Sequence, residues 1–118
     1  MARIESTESR RSDCPIACAL DIIGDKWTLL VVRDLALGKR HFESFLDSPE
    51  RIATNVLTDR LRRLEKLGFV SKDIDQNDRR KSFYLLTSRG QELRTLMRYL
   101  ARWGLKNISD TELLDGAR

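Results

Sequence analysis

No run of about 18 apolar residues occurs in the 118-residue sequence, so no segment is long and oily enough to read as a membrane-crossing helix. Residues 1–13 also lack the apolar stretch of a secretory signal, and the expectation is a soluble, cytoplasmic protein without a membrane partner. Cysteine is scarce: only Cys14 and Cys18 occur, one helical turn apart, with no second pair and no nearby histidine in sequence. That spacing supports neither a disulfide framework nor a structural zinc site. Histidine is scarcer still. With His41 the single example, no familiar catalytic constellation or metal-ligand set can be assembled, so no enzyme, metal or cofactor is expected.

What is present fits one ordinary domain, because 118 residues with 41% hydrophobic content can close a single core. The formal net charge of +4 suggests a polyanionic partner, although charge alone speaks to non-specific binding rather than to a fold. Helical periodicity dominates the first half. A first helix is predicted from Asp13 as N-cap, with Pro15 in the first turn and Gly24 at the end, carrying Ile16, Ala19, Leu20, Ile22 and Ile23. A second runs from about Lys26 to Leu37, apolar on nearly all sides, and stops at Gly38.

After the polar step Lys39-Arg40-His41, a short helix carries Phe42, Phe45 and Leu46 until Ser48-Pro49 breaks it. The next segment, Thr54 to Leu67, opens on a hydroxyl cap at Thr54. It lines up Val56, Leu57, Leu61, Leu64 and Leu67 on one face and Asn55, Thr58, Asp59, Arg62, Arg63 and Lys66 on the other. Beyond Gly68 the period changes to two: Phe69–Ile74 and Lys81–Leu86 read as strands joined by a polar turn, hence a hairpin with a charged tip. A last helix begins at Thr87 or Ser88, where Ser88 and Gln91 have capping-box spacing, and reaches about Asn107.

The expected fold class is α+β, mostly α: a winged helix-turn-helix with flanking helices suited to dimerisation. Residues 1–12 form a loose N-terminal tail, 13–108 the domain and 109–118 a loose C-terminal tail. The mechanical sense is that an α-helix fits the major groove while a basic hairpin reaches the backbone beside it.

Cys14-Pro15-Ile16, Leu20 through Thr28 (LDIIGDKWT), Gly38 through Phe42, Thr54 through Leu61, Leu64 through Val70, and Leu86 through Gly90 together resemble the HxlR-type bacterial regulators. The likeness spans about residues 14 to 104, and that family is related to the MarR-like regulators. It implies a homodimeric winged helix that binds operator DNA. The wing departs from the pattern, with Asp78 through Tyr84 (DRRKSFY) where HxlR-type proteins commonly show a proline and a Val-Glu-Tyr-like strand. Sequence preference at the wing is therefore not inherited.

On the helix assigned to the groove, Thr54, Asn55, Thr58, Asp59 and Arg62 are the candidate contacts. Asn can pair with adenine, Arg with guanine, and Thr58 can touch a base or a phosphate; Asp59 has no assigned role. A solvated helix face is the alternative. Lys39, Arg40, His41 and Arg51 are candidate phosphate clamps around the short helix, and Arg79, Arg80 and Lys81 a wing tip for minor groove or phosphate. The resemblance further implies dimerisation through Ile16 and Leu20 of the first helix and Leu93, Leu96, Met97, Leu100 and Trp103 of the last. Arg94, Arg98, Arg102 and Lys106 recur beside that face as a basic stripe. Cys14 lies where the helix dipole favours an anionic sulfur, and some HxlR-type proteins are thiol sensors, so it is a candidate for redox sensing, a buried structural cysteine being the alternative. The expected partners are double-stranded DNA, a second copy of the chain and a small-molecule or oxidant effector. The functional expectation is a DNA-binding transcriptional regulator acting as a repressor on an inverted-repeat operator. The competing class is a winged helix used purely as a protein-interaction module.

Overall fold

The computed structural model describes residues 3–5 and 10–114. Residues 1, 2, 6–9 and 115–118, on which part of the loose-tail expectation falls, lie outside that set. In chain order the elements are α1 (Pro15–Ile23), α2 (Thr28–Ala36), α3 (Phe42–Leu46), α4 (Thr54–Lys66), β1 (Val70–Ile74), β2 (Ser82–Leu86) and α5 (Ser88–Asn107). This is the expected mostly helical winged helix-turn-helix. None of the described helices is long and apolar enough to cross a membrane.

The elements fall where periodicity placed them, but several termini are capped differently. In α1 the cap residue is Cys14 rather than Asp13, because Pro15 already occupies the first helical position; Asp13 is exposed, 3.9 Å from Arg10. The start of α2 moves from Lys26 to Thr28, since the Asp25 carboxylate accepts from the amides of Trp27 and Thr28, both at 3.1 Å, and holds the preceding turn open. Thr54 does not cap α4: Ala53 is the cap residue and Thr54 is already helical, its hydroxyl exposed. The Ser88–Gln91 capping box is not formed either. Thr87 caps α5, accepting from the Gly90 amide at 3.2 Å and donating its own hydroxyl to the Gly68 carbonyl, so one side chain joins the wing base to the last helix. Gly38 and Gly68 end α2 and α4 at φ 110 and 84, a left-handed geometry that a Cβ would strain.

The core is built on the α2 and α4 stripes. Val31, Val32 and Leu35 of α2 meet Leu57, Leu61 and Leu64 of α4, each group at the i, i+4, i+7 or neighbouring spacing of one helix face, with Phe45 of α3 and Ile52 closing one end. Fully burying each such side chain is worth roughly 1.5–3 kcal/mol, so this cluster outweighs any cap. Phe69, Val70 and Tyr84 plug the wing base into it, and Tyr84 meets Phe45 edge to face at 6.3 Å between ring centroids. β1 and β2 pair antiparallel from Val70↔Leu86 to Ile74↔Ser82. Beyond the base the hairpin leaves the core, and four of the five β1 residues are exposed.

The step between α2 and α3 also joins the wing. The Tyr84 amide donates to the Arg40 carbonyl at 2.8 Å and His41 bridges Phe83, so Lys39–His41 lies along β2 as a short third ribbon. At the N-terminus, half-buried Ile4 packs against the core.

Candidate nucleic-acid interface

α4 carries the face with the right chemistry. Asn55, Asp59 and Arg62 stand at i, i+4 and i+7 and are exposed, with half-exposed Thr58 between them, while Leu57, Leu61 and Leu64 lie buried on the opposite side. Thr54 is exposed at the start of the same face, and Arg51 is exposed just ahead of it. The Thr58 hydroxyl donates back to the Thr54 carbonyl at 2.9 Å, leaving its oxygen free to accept. Asp59 is paired at 2.6 Å with Arg60, which offsets the charge that would otherwise repel a phosphate.

Arg63, expected on that polar face, is half-buried. It donates to the Asp21 carbonyl at 2.8 Å. Arg60, one turn earlier, reaches Asp25 at 2.9 Å. The two arginines bolt the flank of α4 to the joint between α1 and α2, so the exposed face is aimed by a rigid anchor. Asp25 is the centre of that anchor. Its partial burial works against ionisation, but hydrogen bonds from Thr28, Arg60 and the Trp27 amide prevail and hold its carboxyl at about 2, below the ordinary 3.8. Because the folded value is the depressed one, the stabilisation is complete above about pH 4 and is lost as pH falls from 4 towards 2. With screening by nearby solvent it should amount to about 1 kcal/mol. Denaturation of the wild type and Asp25→Asn at pH 6 should show that gap, and a series down to pH 2.5 should narrow it to less than half; a gap independent of pH would refute the role.

Not every expected cation joins the exposed face. Lys39 donates to the Ser48 hydroxyl at 2.9 Å and lies 3.9 Å from Asp34, with a side chain only 18% exposed. Arg40 donates to the carbonyls of Leu35 and of Lys39, both at 2.8 Å. Both satisfy acceptors of the scaffold rather than extend into solvent. His41 is half-exposed and pairs with Asp75 at 2.8 Å, tying the wing turn to the start of α3. The Asn77 amide and then His41 lower the Asp75 carboxyl. In the wing, Arg79, Arg80 and Lys81 are exposed, and the Arg80 side chain is 90% so. Asp78 receives Arg80 at 3.1 Å, and that contact lowers its carboxyl.

A buried polar cluster that sequence reasoning missed shapes the turn before α4. Asp34 is 4% exposed in α2, the helix with the most buried residues. It accepts from Arg33 at 3.1 and 3.0 Å and from the Ser48 hydroxyl, and Arg33 also grips Glu50 at 2.8 and 2.7 Å. The Glu50 contact raises Arg33 despite its burial, and Arg33 in turn lowers Glu50. The signal was an acid inside the apolar run of α2, a position that demands a partner.

The HxlR-like helix-turn-helix family profile matches residues 22–112. The chain belongs to that family. An HTH-type transcriptional regulator of Synechocystis is 36% identical over 84 residues, 71% of this chain and 62% of its own length, so this chain spans less than two thirds of that relative. The HTH-type transcriptional regulator YdeP of Bacillus subtilis is 32% identical over 105 residues, 89% of this chain and 82% of its own. Among solved structures, the redox regulator HypR in its oxidised form superposes with a TM-score of 0.72 at 30% identity, covering 85% of this chain and 100% of that one. This HxlR-like chain is thus a helix-turn-helix transcriptional regulator, a family of DNA-binding proteins rather than enzymes.

The remaining expected residues lie away from α4. Cys14 is exposed at the cap position of α1, not buried, and Cys18 is half-buried with its thiol 3.4 Å from the Ser12 carbonyl. Ile16 and Leu20 are 70% and 53% exposed on α1, and Leu96, Leu100 and Trp103 stand exposed on α5 together with Tyr99, which sequence reasoning omitted. Leu93 and Met97 differ. They are half-buried and packed on the chain's own core, because α5 must cover α2 before it can offer a face to anything else.

Proposed function

We propose that this HxlR-like protein is a cytoplasmic, homodimeric repressor that reads an inverted-repeat operator. α4 enters the major groove and the wing tip Arg79–Lys81 lies on the backbone or minor groove alongside. The observation that carries this reading is the shared solvent-facing side of Asn55, Thr58, Asp59 and Arg62, backed by three buried leucines and clamped from the flank by Arg60 and Arg63. Thr54 and Arg51 extend the contact at the N-terminal end of α4, and His41 sits at the wing's root. Lys39 and Arg40 support the scaffold. Dimerisation joins Ile16 and Leu20 to Leu96, Leu100 and Trp103, with Leu93 and Met97 backing that face from inside the chain. Residues 13–108 form the working domain, with 1–12 and 109–118 as tails.

The test separates two kinds of contact. Arg62→Ala should relax preference at one base position by about 1–3 kcal/mol, whereas Arg80→Ala should weaken all duplexes alike. Selection of bound fragments should recover half-sites about 34–36 Å apart. Equal losses on selected and random DNA for both variants would overturn the assignment.

Cys14 is the proposed redox element. The support is its exposed thiol at the start of the helix that carries Ile16 and Leu20, and the likeness to HypR, itself a redox regulator. Peroxide or a quinone should change DNA affinity of the wild type and leave Cys14→Ser unmoved; the same response in both would remove Cys14 from the mechanism.

A further inference from the structure

The acid on the outer face of α4 is the one charged group there that attraction to a duplex does not account for. Asp59 is 65% exposed in the second turn of the helix, on the same side as Asn55, Thr58 and Arg62. A carboxylate at that place costs affinity for phosphate-lined DNA unless something in the groove donates to it.

Arg60 fixes this carboxylate without covering it. Its Nη1 donates to Asp59 Oδ2 at 2.6 Å while its Nε donates to Asp25 at 2.9 Å, so the guanidinium is held from the joint between α1 and α2 and holds Asp59 in turn. Asp59 Oδ1 receives no hydrogen bond among the described residues. Arg62, three positions on, is the other cation within reach on a helix, yet among the described residues it pairs with no acid. The face therefore presents a guanidinium free to donate and, about 4.5 Å back along the helix axis, a carboxylate oxygen free to accept.

The four bases answer a carboxylate differently. In the major groove cytosine shows its N4 amino donor and no acceptor, whereas guanine shows N7 and O6, thymine O4, and adenine N7 beside its amino group. A carboxylate oxygen is drawn to the first and meets acceptor lone pairs on the other three, with adenine the nearest competitor.

From a carboxylate pinned by one oxygen and open at the other, we infer that Asp59 is a specificity-determining residue of this protein, selecting a cytosine in each half-site by accepting from its N4 amino group through Oδ1. Arg60 is the positioning residue: it holds Oδ2, offsets the charge towards neighbouring phosphates and keeps the acid off Arg62. This assignment rests on the operator reading and adds a base identity to it. Since a base step is about 3.4 Å, the cytosine lies within about two base pairs of the base that Arg62 reads.

The experiment is selection of bound fragments from a random duplex library with full-length wild type, Asp59→Ala, Asp59→Asn and Arg62→Ala, followed by fluorescence anisotropy on the selected duplex, its single-base variants and random DNA. The wild type should prefer cytosine about tenfold at one position per half-site, within about two base pairs of the position that Arg62→Ala relaxes. Asp59→Ala should bring that preference below about twofold, while the Arg62 position keeps its base and affinity for random DNA does not fall. Asp59→Asn should turn the same position towards adenine, because an amide offers N7 a donor as well as the amino group an acceptor. Replacing that cytosine by 2-pyrimidinone, which lacks the amino group, should weaken the wild type about tenfold more than Asp59→Ala.

The cytosine assignment alone is overturned if Arg62→Ala relaxes a position and Asp59→Ala relaxes none, or if the position relaxed by Asp59→Ala is not a cytosine. It is equally overturned if Asp59→Ala weakens selected and random DNA alike, the mark of a purely structural acid. A wild type that enriches no sequence at all overturns the operator reading, and the assignment with it.

Discussion

Operator affinity should fall on the order of 10³–10⁵-fold when salt is raised from 50 to 200 mM, because each phosphate neutralised releases a condensed counterion. The structure indicates how many phosphates are within the protein's means. Arg51, Arg79, Arg80 and Lys81 are exposed beside α4 and along the wing, while Arg62 is assigned to a base. The proposed dimer doubles that set of four to about eight, and the Asp78 contact to Arg80 reduces its effective share, which leaves about 6–8 phosphate contacts. Lys39 and Arg40 do not enter the sum, since each is spent on scaffold acceptors. Fluorescence anisotropy on a labelled duplex across a salt series measures the slope directly. A flat series would favour the competing class, a winged helix whose basic surface is incidental to protein binding.

The second large effect is on stability. Asp34→Ala should destabilise the protein by about 3 kcal/mol, the low end of the cost of removing one partner from a buried charged cluster, because Arg33 keeps Glu50 while Lys39 and Ser48 lose their carboxylate. Urea unfolding followed by circular dichroism provides the number. The consequence should extend to binding, since Ser48 and Glu50 are the points at which the turn before α4 is fastened to α2. A loss below about 0.5 kcal/mol, the scale of an ordinary surface substitution, would show that the cluster is not a structural tie.

The order of the elements was legible because each one carries its own period and punctuation. Leu57, Leu61 and Leu64 repeat at helical spacing and Gly68 stops the helix, so α4 and its polar face are legible in the sequence alone. The caps were less legible. Asp13, Thr54 and Ser88 all have suitable side chains, yet each cap falls one residue away, on Cys14, Ala53 and Thr87. A cap is worth about 1 kcal/mol, and packing of neighbouring residues settles the terminus when the two compete. The family resemblance rested on the same segments and agrees with the match over residues 22–112.

Charge was the least readable property. Arg60, Arg62 and Arg63 are near neighbours in the chain, but only Arg62 stands exposed; the other two face Asp25 and the Asp21 carbonyl, groups some 35 to 42 positions earlier. Leu93 and Met97 likewise share a helix face with Leu96 and Leu100 on paper, and it is contact with the core that separates them. Period, polarity and turn chemistry act over a few residues, and they sufficed for the winged helix-turn-helix and the location of its reading helix. Which cations remain free and how Asp34 is satisfied depend on groups brought together from distant parts of the chain. Those distances are set by packing, and no local pattern encodes them.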